Sequence, residues 1–134
     1  MDENGGILNF PEMDEQHKYL YRIFDLLESD DHVTNKAFTE KLLKEIEHYI
    51  NFHFTSEEHL MRMYEFPGFA IHQSDHEQAA MKFVGFMDDY DAGKLNPMAL
   101  RLFLRNWLWE HSKESDTEYV KWIAEKRKEV GLNT

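Results

Sequence analysis

Residues 36–64 read KAFTEKLLKEIEHYINFHFTSEEHLMRMY, and Phe66-Pro67-Gly68 follows closely behind them. Phe38, Leu42, Ile46, Tyr49, Leu60 and Tyr64 recur along this run at helical spacing. Such a period keeps one face of a helix apolar and leaves the rest polar. Asn35 stands in front of the run as an N-cap residue, and the Pro-Gly pair behind it breaks a helix. One long amphipathic helix over 36–64 is therefore predicted.

The same reading extends in both directions. Upstream, a helix follows Pro11 and covers about 12–28, with Leu20, Phe24 and Leu27 on its apolar stripe and Ser29-Asp30-Asp31 as a polar loop behind it. Downstream, a helix over 69–91 turns Phe83 and Met87 inward and stops at Ala92-Gly93-Lys94. Asn96-Pro97 then supplies an N-cap and a proline at the first helical position. The last helix, 97–129, carries Leu100, Leu104, Trp107, Leu108, Tyr119 and Ile123 on its stripe and ends at Gly131. The three prolines, at 11, 67 and 97, all mark helix boundaries. No stretch shows strand alternation with hairpin turn chemistry. Four helices joined by short loops pack as antiparallel neighbours. The predicted fold is all-α, an antiparallel up-down-up-down four-helix bundle, as a single domain over 1–134 with residues 1–11 as an amino-terminal arm.

Composition narrows the function. The chain has 134 residues, 42% of them hydrophobic, no cysteine and a formal net charge of −11. Without cysteine there are no disulfides, thiolate zinc sites, iron–sulfur clusters or thiol nucleophiles. The negative charge repels phosphate backbones and anionic lipid, so nucleic acid and membrane are not expected partners. The start, MDENGGILNF, has no basic segment followed by a long apolar run, and no window approaches the ~18 apolar residues of a membrane span. A cytoplasmic protein is expected.

The informative residues are the histidines. Eight occur, and five of them, His17, His53, His72, His76 and His111, fall on or beside the stripes that should face the core, with all four helices contributing. His53 and Glu57, and likewise His72 and His76, are spaced i, i+4. That spacing puts two side chains about 40° apart around a helix and about 6 Å apart along it, on one face. His111 and Asp116 are five apart, about 140° on a regular helix. For Asp116 to join the same site, the helix must be locally underwound, as in a π-bulge. A single histidine on an apolar stripe is usually a satisfied core residue. Five of them beside two carboxylates would leave many buried polar atoms unpaired, and one shared metal centre resolves them together. The count exceeds one ion's needs and suits two first-row ions with bridging carboxylates. A mixed N/O set without thiolate suits iron or manganese. His32 falls in a loop, and His48 and His59 lie off the stripe.

The set His17, His53-x-x-x-Glu57, His72-x-x-x-His76 and His111-x-x-x-x-Asp116 resembles the hemerythrin family, specifically its bacterial single-domain members. The flanking words resemble it too: Asp14-Glu15-Gln16-His17-Lys18, His53-Phe54 with Glu57-Glu58 and Met61, Phe66-Pro67 before His72, and Trp107-Leu108 before His111 with Tyr119 after Asp116. The resemblance runs from about residue 7 to residue 123. It implies a non-haem di-iron centre that binds O2 reversibly, with two iron ions, an oxo or hydroxo bridge and O2 as ligand. His72, His76 and His111 would hold one iron, and His17 and His53 the other, which keeps an open site. Glu57 and Asp116 would bridge them. Phe54, Leu108 and Phe24 are O2-pocket candidates.

Two departures from the family pattern stand out. The arm reads Ile7-Leu8-Asn9-Phe10 where the family usually has a tryptophan. Ser112 follows the last-helix histidine where the family usually has an aliphatic residue. Ser112 either turns its hydroxyl into the O2 pocket, admitting water and speeding autoxidation, or donates back to a helix carbonyl. The function implied is O2 storage, delivery or sensing rather than catalysis. The alternatives are a di-iron enzyme acting on peroxide or nitric oxide, and a rapidly autoxidising sensor. A ferritin-like oxidase would need two Glu-x-x-His pairs, and only Glu45-x-x-His48 fits. A signalling domain on either side, in a longer parent chain, stays open.

Overall fold

A computed structural model describes residues 10–28 and 36–129. Helix α1 spans Pro11–Asp25 and tightens into a 3-10 turn over Leu26–Glu28. Helix α2 spans Lys36–Met63, α3 Phe69–Asp91 and α4 Pro97–His111. A π-helical segment, Ser112–Asp116, joins α4 to its continuation α5, Thr117–Glu129. The molecule is a four-helix bundle without strands among the described residues. α1 packs on α2 and α4, and α3 closes the ring against the same two helices. No described helix is long and apolar enough to cross a membrane. Asn35, the Ser29-Asp30-Asp31 loop, His32, Gly131 and the arm residues Ile7, Leu8 and Asn9 lie outside the described residues.

Local chemistry sets the helix ends. Pro11 begins α1 at a position where a missing N–H costs nothing, and the Asp14 carboxylate accepts from the Phe10 N–H at 3.0 Å. Asn96 caps α4 by accepting from the Ala99 N–H at 3.2 Å. α2 and α3 both end in a turn whose second residue past the helix has positive φ. After α3 that residue is Gly93, φ 73°, with the Lys94 N–H reaching the Asp89 carbonyl at 2.7 Å. After α2 it is Glu65, φ 53°, with the Phe66 N–H reaching the Met61 carbonyl at 2.9 Å. A side chain in the left-handed region is strained where glycine is not. The neighbouring Tyr64 carbonyl accepts from the Trp122 indole at 2.7 Å, which ties this corner to α5.

The core has two apolar regions. Leu20, Phe24, Leu27, Leu42, Ile46 and Leu100 belong to the larger one. Phe10, Met13, Met61 and Tyr119 form the smaller. At the larger region's edge the buried Arg105 reaches Asp25 at 2.7 Å and lies over the Tyr21 ring at 4.8 Å, tying α4 to α1. Buried polar side chains from all four helices make a third region of the interior.

Candidate metal centre

α1 contributes His17, α2 His53 and Glu57, α3 His72 and His76, α4 His111 and the π segment Asp116. All seven are buried, and His53, Glu57 and Asp116 are fully so. In α2 and α3 the regular helix places each i, i+4 pair on one face. In the last helix the π segment does the equivalent work. Its i→i+5 hydrogen bonding accommodates one extra residue per turn, and Asp116 Oδ1 comes to 3.1 Å from His111 Nε2. A short aspartate five residues along a regular helix would have pointed about 140° away.

The side chains divide into two groups that could each hold a cation. Glu57, His72, His76 and His111 form one, and His17, His53, Glu57 and Asp116 the other. Glu57 belongs to both. Its Oε1 lies 3.0 Å from His76 Nε2, 3.6 Å from His53 Nε2 and 3.8 Å from His72 Nε2. Asp116 also faces both groups, with Oδ1 3.0 Å from His72 Nε2 and Oδ2 3.5 Å from His17 Nε2. All five histidines turn Nε2 inward. His17 and His53 approach through these atoms to 3.1 Å, His76 and His111 to 3.1 Å, and His111 and His72 to 2.9 Å.

These contacts test whether a metal fits. Glu57 Oε1 and both Asp116 oxygens are buried and make no hydrogen bond among the described residues. A buried polar atom left so costs about 1–3 kcal/mol, and more when charged. His53 offers its Nδ1 to Gln16 Oε1 at 2.7 Å, and His76 its Nδ1 to Glu58 Oε2 at 2.8 Å. An amide oxygen and a carboxylate accept only, so in both rings Nδ1 carries a proton, and in the neutral ring the inward Nε2 is the lone pair a metal needs. Lone pairs and carboxylate oxygens converging at such distances repel unless a cation lies among them. The residues fit a metal pair. Without one, protons compete for the same space. Burial opposes charge on His72, but Asp116 and Glu57 overcome it and raise its pKa to about 9. The same contest, with Asp116 the main attraction, raises His17. Burial dominates at His53 and lowers it to about 4. Burial and the Asp116 charge push Glu57 up, but the surrounding imidazoles prevail and hold it at about 2. Asp116, beside His111, is held well below the usual carboxylate range against its burial.

Gln16, Glu58, Ser112 and Tyr119 complete the site, and spacing alone does not reveal what they do. Three of them follow one rule. Gln16 adjoins His17 in sequence but serves His53 on the next helix. Glu58 adjoins Glu57 and serves His76 on the next helix. Ser112 adjoins His111, and its hydroxyl lies 3.4 Å from Nδ1 of His17 on α1. One step along a helix turns a side chain by about 100°, from the bundle axis toward the neighbouring helix. Tyr119 donates its hydroxyl to Glu57 Oε2 at 2.9 Å, and burial together with the Glu57 charge raises its own pKa well above the usual phenol value.

A narrow, largely apolar cavity of about 20 Å³ adjoins His53. Phe24, Phe54 and Leu108 line it together with Leu20, Ile50 and Leu104. Phe54 also stacks on the His76 ring at 4.0 Å between centroids, and Trp107 stacks on His111 at 4.4 Å. Ser112 is buried and does not line this cavity, and its hydroxyl lies 3.4 Å from His17 Nδ1. His48 and His59 are on the outer surface of α2.

A four-helix bundle with histidines and two shared carboxylates converging at its centre defines the class of dinuclear metal-binding bundles. Within that class the chain matches the hemerythrin HHE cation binding domain over residues 9–123, and it belongs to the hemerythrin family. It is 30% identical over 128 residues to a bacteriohemerythrin of Campylobacter jejuni, covering 87% of this chain and 89% of that one. It is 27% identical over 120 residues to a bacteriohemerythrin of Clostridium acetobutylicum, covering 84% and 92%. A hemerythrin-like protein of Naegleria gruberi is 28% identical over 108 residues, covering 81% and 80%. A solved hemerythrin structure shares the fold, with a TM-score of 0.79 at 23% identity over 95% of this chain and 92% of that one.

Proposed function

We propose that the chain holds two iron ions in its buried polar layer and binds O2 reversibly beside them, for storage, delivery or sensing. His72, His76 and His111 would hold one ion and His17 and His53 the other, with Glu57 and Asp116 shared and an oxo or hydroxo group completing the bridge. The observation that carries this reading is that the two-histidine cation-binding group meets an apolar cavity. Of the seven polar side chains, His53 alone forms part of the wall of the apolar space, and His53 belongs to the group with only two histidines.

Bound iron supplies the reducing electrons that O2 takes up and returns. The protein's own part is to hold, orient and shield. Gln16 and Glu58 fix the tautomers of His53 and His76, so both rings offer Nε2 inward. Tyr119 pins one oxygen of Glu57 and leaves the other free for the centre. The cavity has room for about one water-sized molecule, and Leu20, Phe24, Ile50, Phe54, Leu104 and Leu108 give water nothing to bond to. A small apolar diatomic suits such a space, and protons and anions do not. This is a binding protein rather than an enzyme. Ser112, which lent weight to a polar pocket turning over peroxide or nitric oxide, has its hydroxyl beside His17 and outside the cavity lining.

The test is anaerobic loading with iron(II), followed by admission and removal of O2 under an optical spectrum. About two irons per chain and absorption bands that appear with O2 and vanish on its removal are expected. Irreversible conversion to an oxidised form on first contact with O2 would overturn the reversible-binding reading.

A further inference from the structure

His76 and His53, one histidine from each metal position, rest their outward nitrogens on partners of different charge. His76, in the three-histidine group, donates Nδ1–H to the carboxylate of Glu58 at 2.8 Å. That carboxylate is itself held by Gln73 Nε2 at 3.1 Å. His53, in the two-histidine group, donates to the neutral amide oxygen of Gln16 at 2.7 Å. His17, its companion, has the Ser112 hydroxyl at the longer distance of 3.4 Å among the described residues, with the Asp14 charge acting on the ring from farther off. A carboxylate behind a ligating imidazole raises the ring's basicity and its hold on a cation, and a neutral acceptor does so less. Gln and Glu are nearly isosteric, so the contrast between positions 16 and 58 is one of charge at almost constant shape.

We propose that Glu58 and Gln16 grade the two metal positions. The Glu58 carboxylate strengthens the position built on His76. The neutral amide of Gln16 leaves the position built on His17 and His53 the more readily emptied. The grading acts in addition to the unequal number of histidines, and it rests on the two-ion reading above. Gln16 and Glu58 are positioning residues: each acts through a histidine and does not itself reach the centre. Both are partly exposed, so either charge can be changed without burying an unpaired ion.

The experiment is release of iron(II) from the anaerobically loaded full chain into an excess of a coloured chelator. It follows the wild type, Gln16→Glu and Glu58→Gln. The wild type should release its iron in two phases of equal amplitude. Gln16→Glu should slow the fast phase about tenfold and spare the slow one, and Glu58→Gln should speed the slow phase about tenfold and spare the fast one. Changes in opposite directions cannot both come from general loosening of the fold. Two irons released at rates that neither substitution alters would overturn the grading while leaving the two-ion reading intact. So would acceleration of the fast phase by Glu58→Gln. Fewer than two irons bound by the wild type would overturn the two-ion reading itself.

Discussion

The larger apolar region and the polar layer of this bundle are equally buried and built to opposite rules. In the first, Leu20, Leu27, Ile46 and Leu100 are enclosed in a cluster of apolar side chains. That burial of apolar surface contributes to folding. In the second, Glu57 and Asp116 are as deeply enclosed as any leucine, yet three of their oxygens have no hydrogen-bond partner among the described residues. One region supplies stability and the other spends part of it holding side chains ready for an ion. The difference assigns fold and function to separate layers of one small core, and substitutions in the two layers should fail differently.

The largest effect should follow Asp116→Ala. It removes a carboxylate that faces both groups, and affinity for the second iron should fall by more than about 100-fold, beyond the loss of an outer partner. Metal analysis after desalting checks it, and the helical content by circular dichroism should survive. Leu100→Ala should do the reverse. A cavity in the apolar region should cost about 2–5 kcal/mol in chemical denaturation and leave the iron content unchanged. Retention of iron by the first variant, or loss of it by the second, would break the division between the layers.

Metal should act as a folding ligand through the polar layer alone. At a free concentration near 100 times the dissociation constant, the loaded protein should be about 2.7 kcal/mol more stable than the chelated one. That corresponds to roughly 10 °C in Tm for a domain of this size. Leu100→Ala should keep the increment and Asp116→Ala should lose most of it. Scanning calorimetry with and without chelator distinguishes the cases. The smallest effect belongs to the helix ends. Glu65→Gly should stabilise by about 0.5–1 kcal/mol by relieving a left-handed backbone, and Gly93→Ala should destabilise by about 1 kcal/mol. Neither should move the iron content, and a shift in it would mean that the corners help to set the metal layer.

The bundle was legible because apolar periodicity and boundary residues agree. Leu42 and Ile46, or Leu100 and Leu104, sit a helical turn apart, and each proline falls at a helix edge. The polar layer was legible because i, i+4 is a fixed geometry, which brings His53 with Glu57 and His72 with His76. The five-residue step from His111 to Asp116 could be read only as a misfit. It told of underwinding, and the structure supplies a π segment there. The outer partners were not legible. Gln16, Glu58 and Ser112 adjoin metal-site residues in sequence, but each acts across a helix–helix interface, and a single chain's spacing does not say which neighbour it meets. Ser112 illustrates this: its residue type left a pocket-facing hydroxyl and a bond to a helix carbonyl both open, and neither names the His17 contact that packing makes. Glu65 was hidden for another reason, since nothing in its side chain announces a positive φ that the turn after α2 imposes.

The central claim is that two ions sit side by side in the polar layer, sharing Glu57 and Asp116. Anomalous scattering from iron-loaded crystals at the iron edge tests it most directly. The account predicts two peaks, one among His72, His76 and His111 and one among His17 and His53, each in contact with both carboxylates. A single peak, or iron bound away from these side chains, would contradict it.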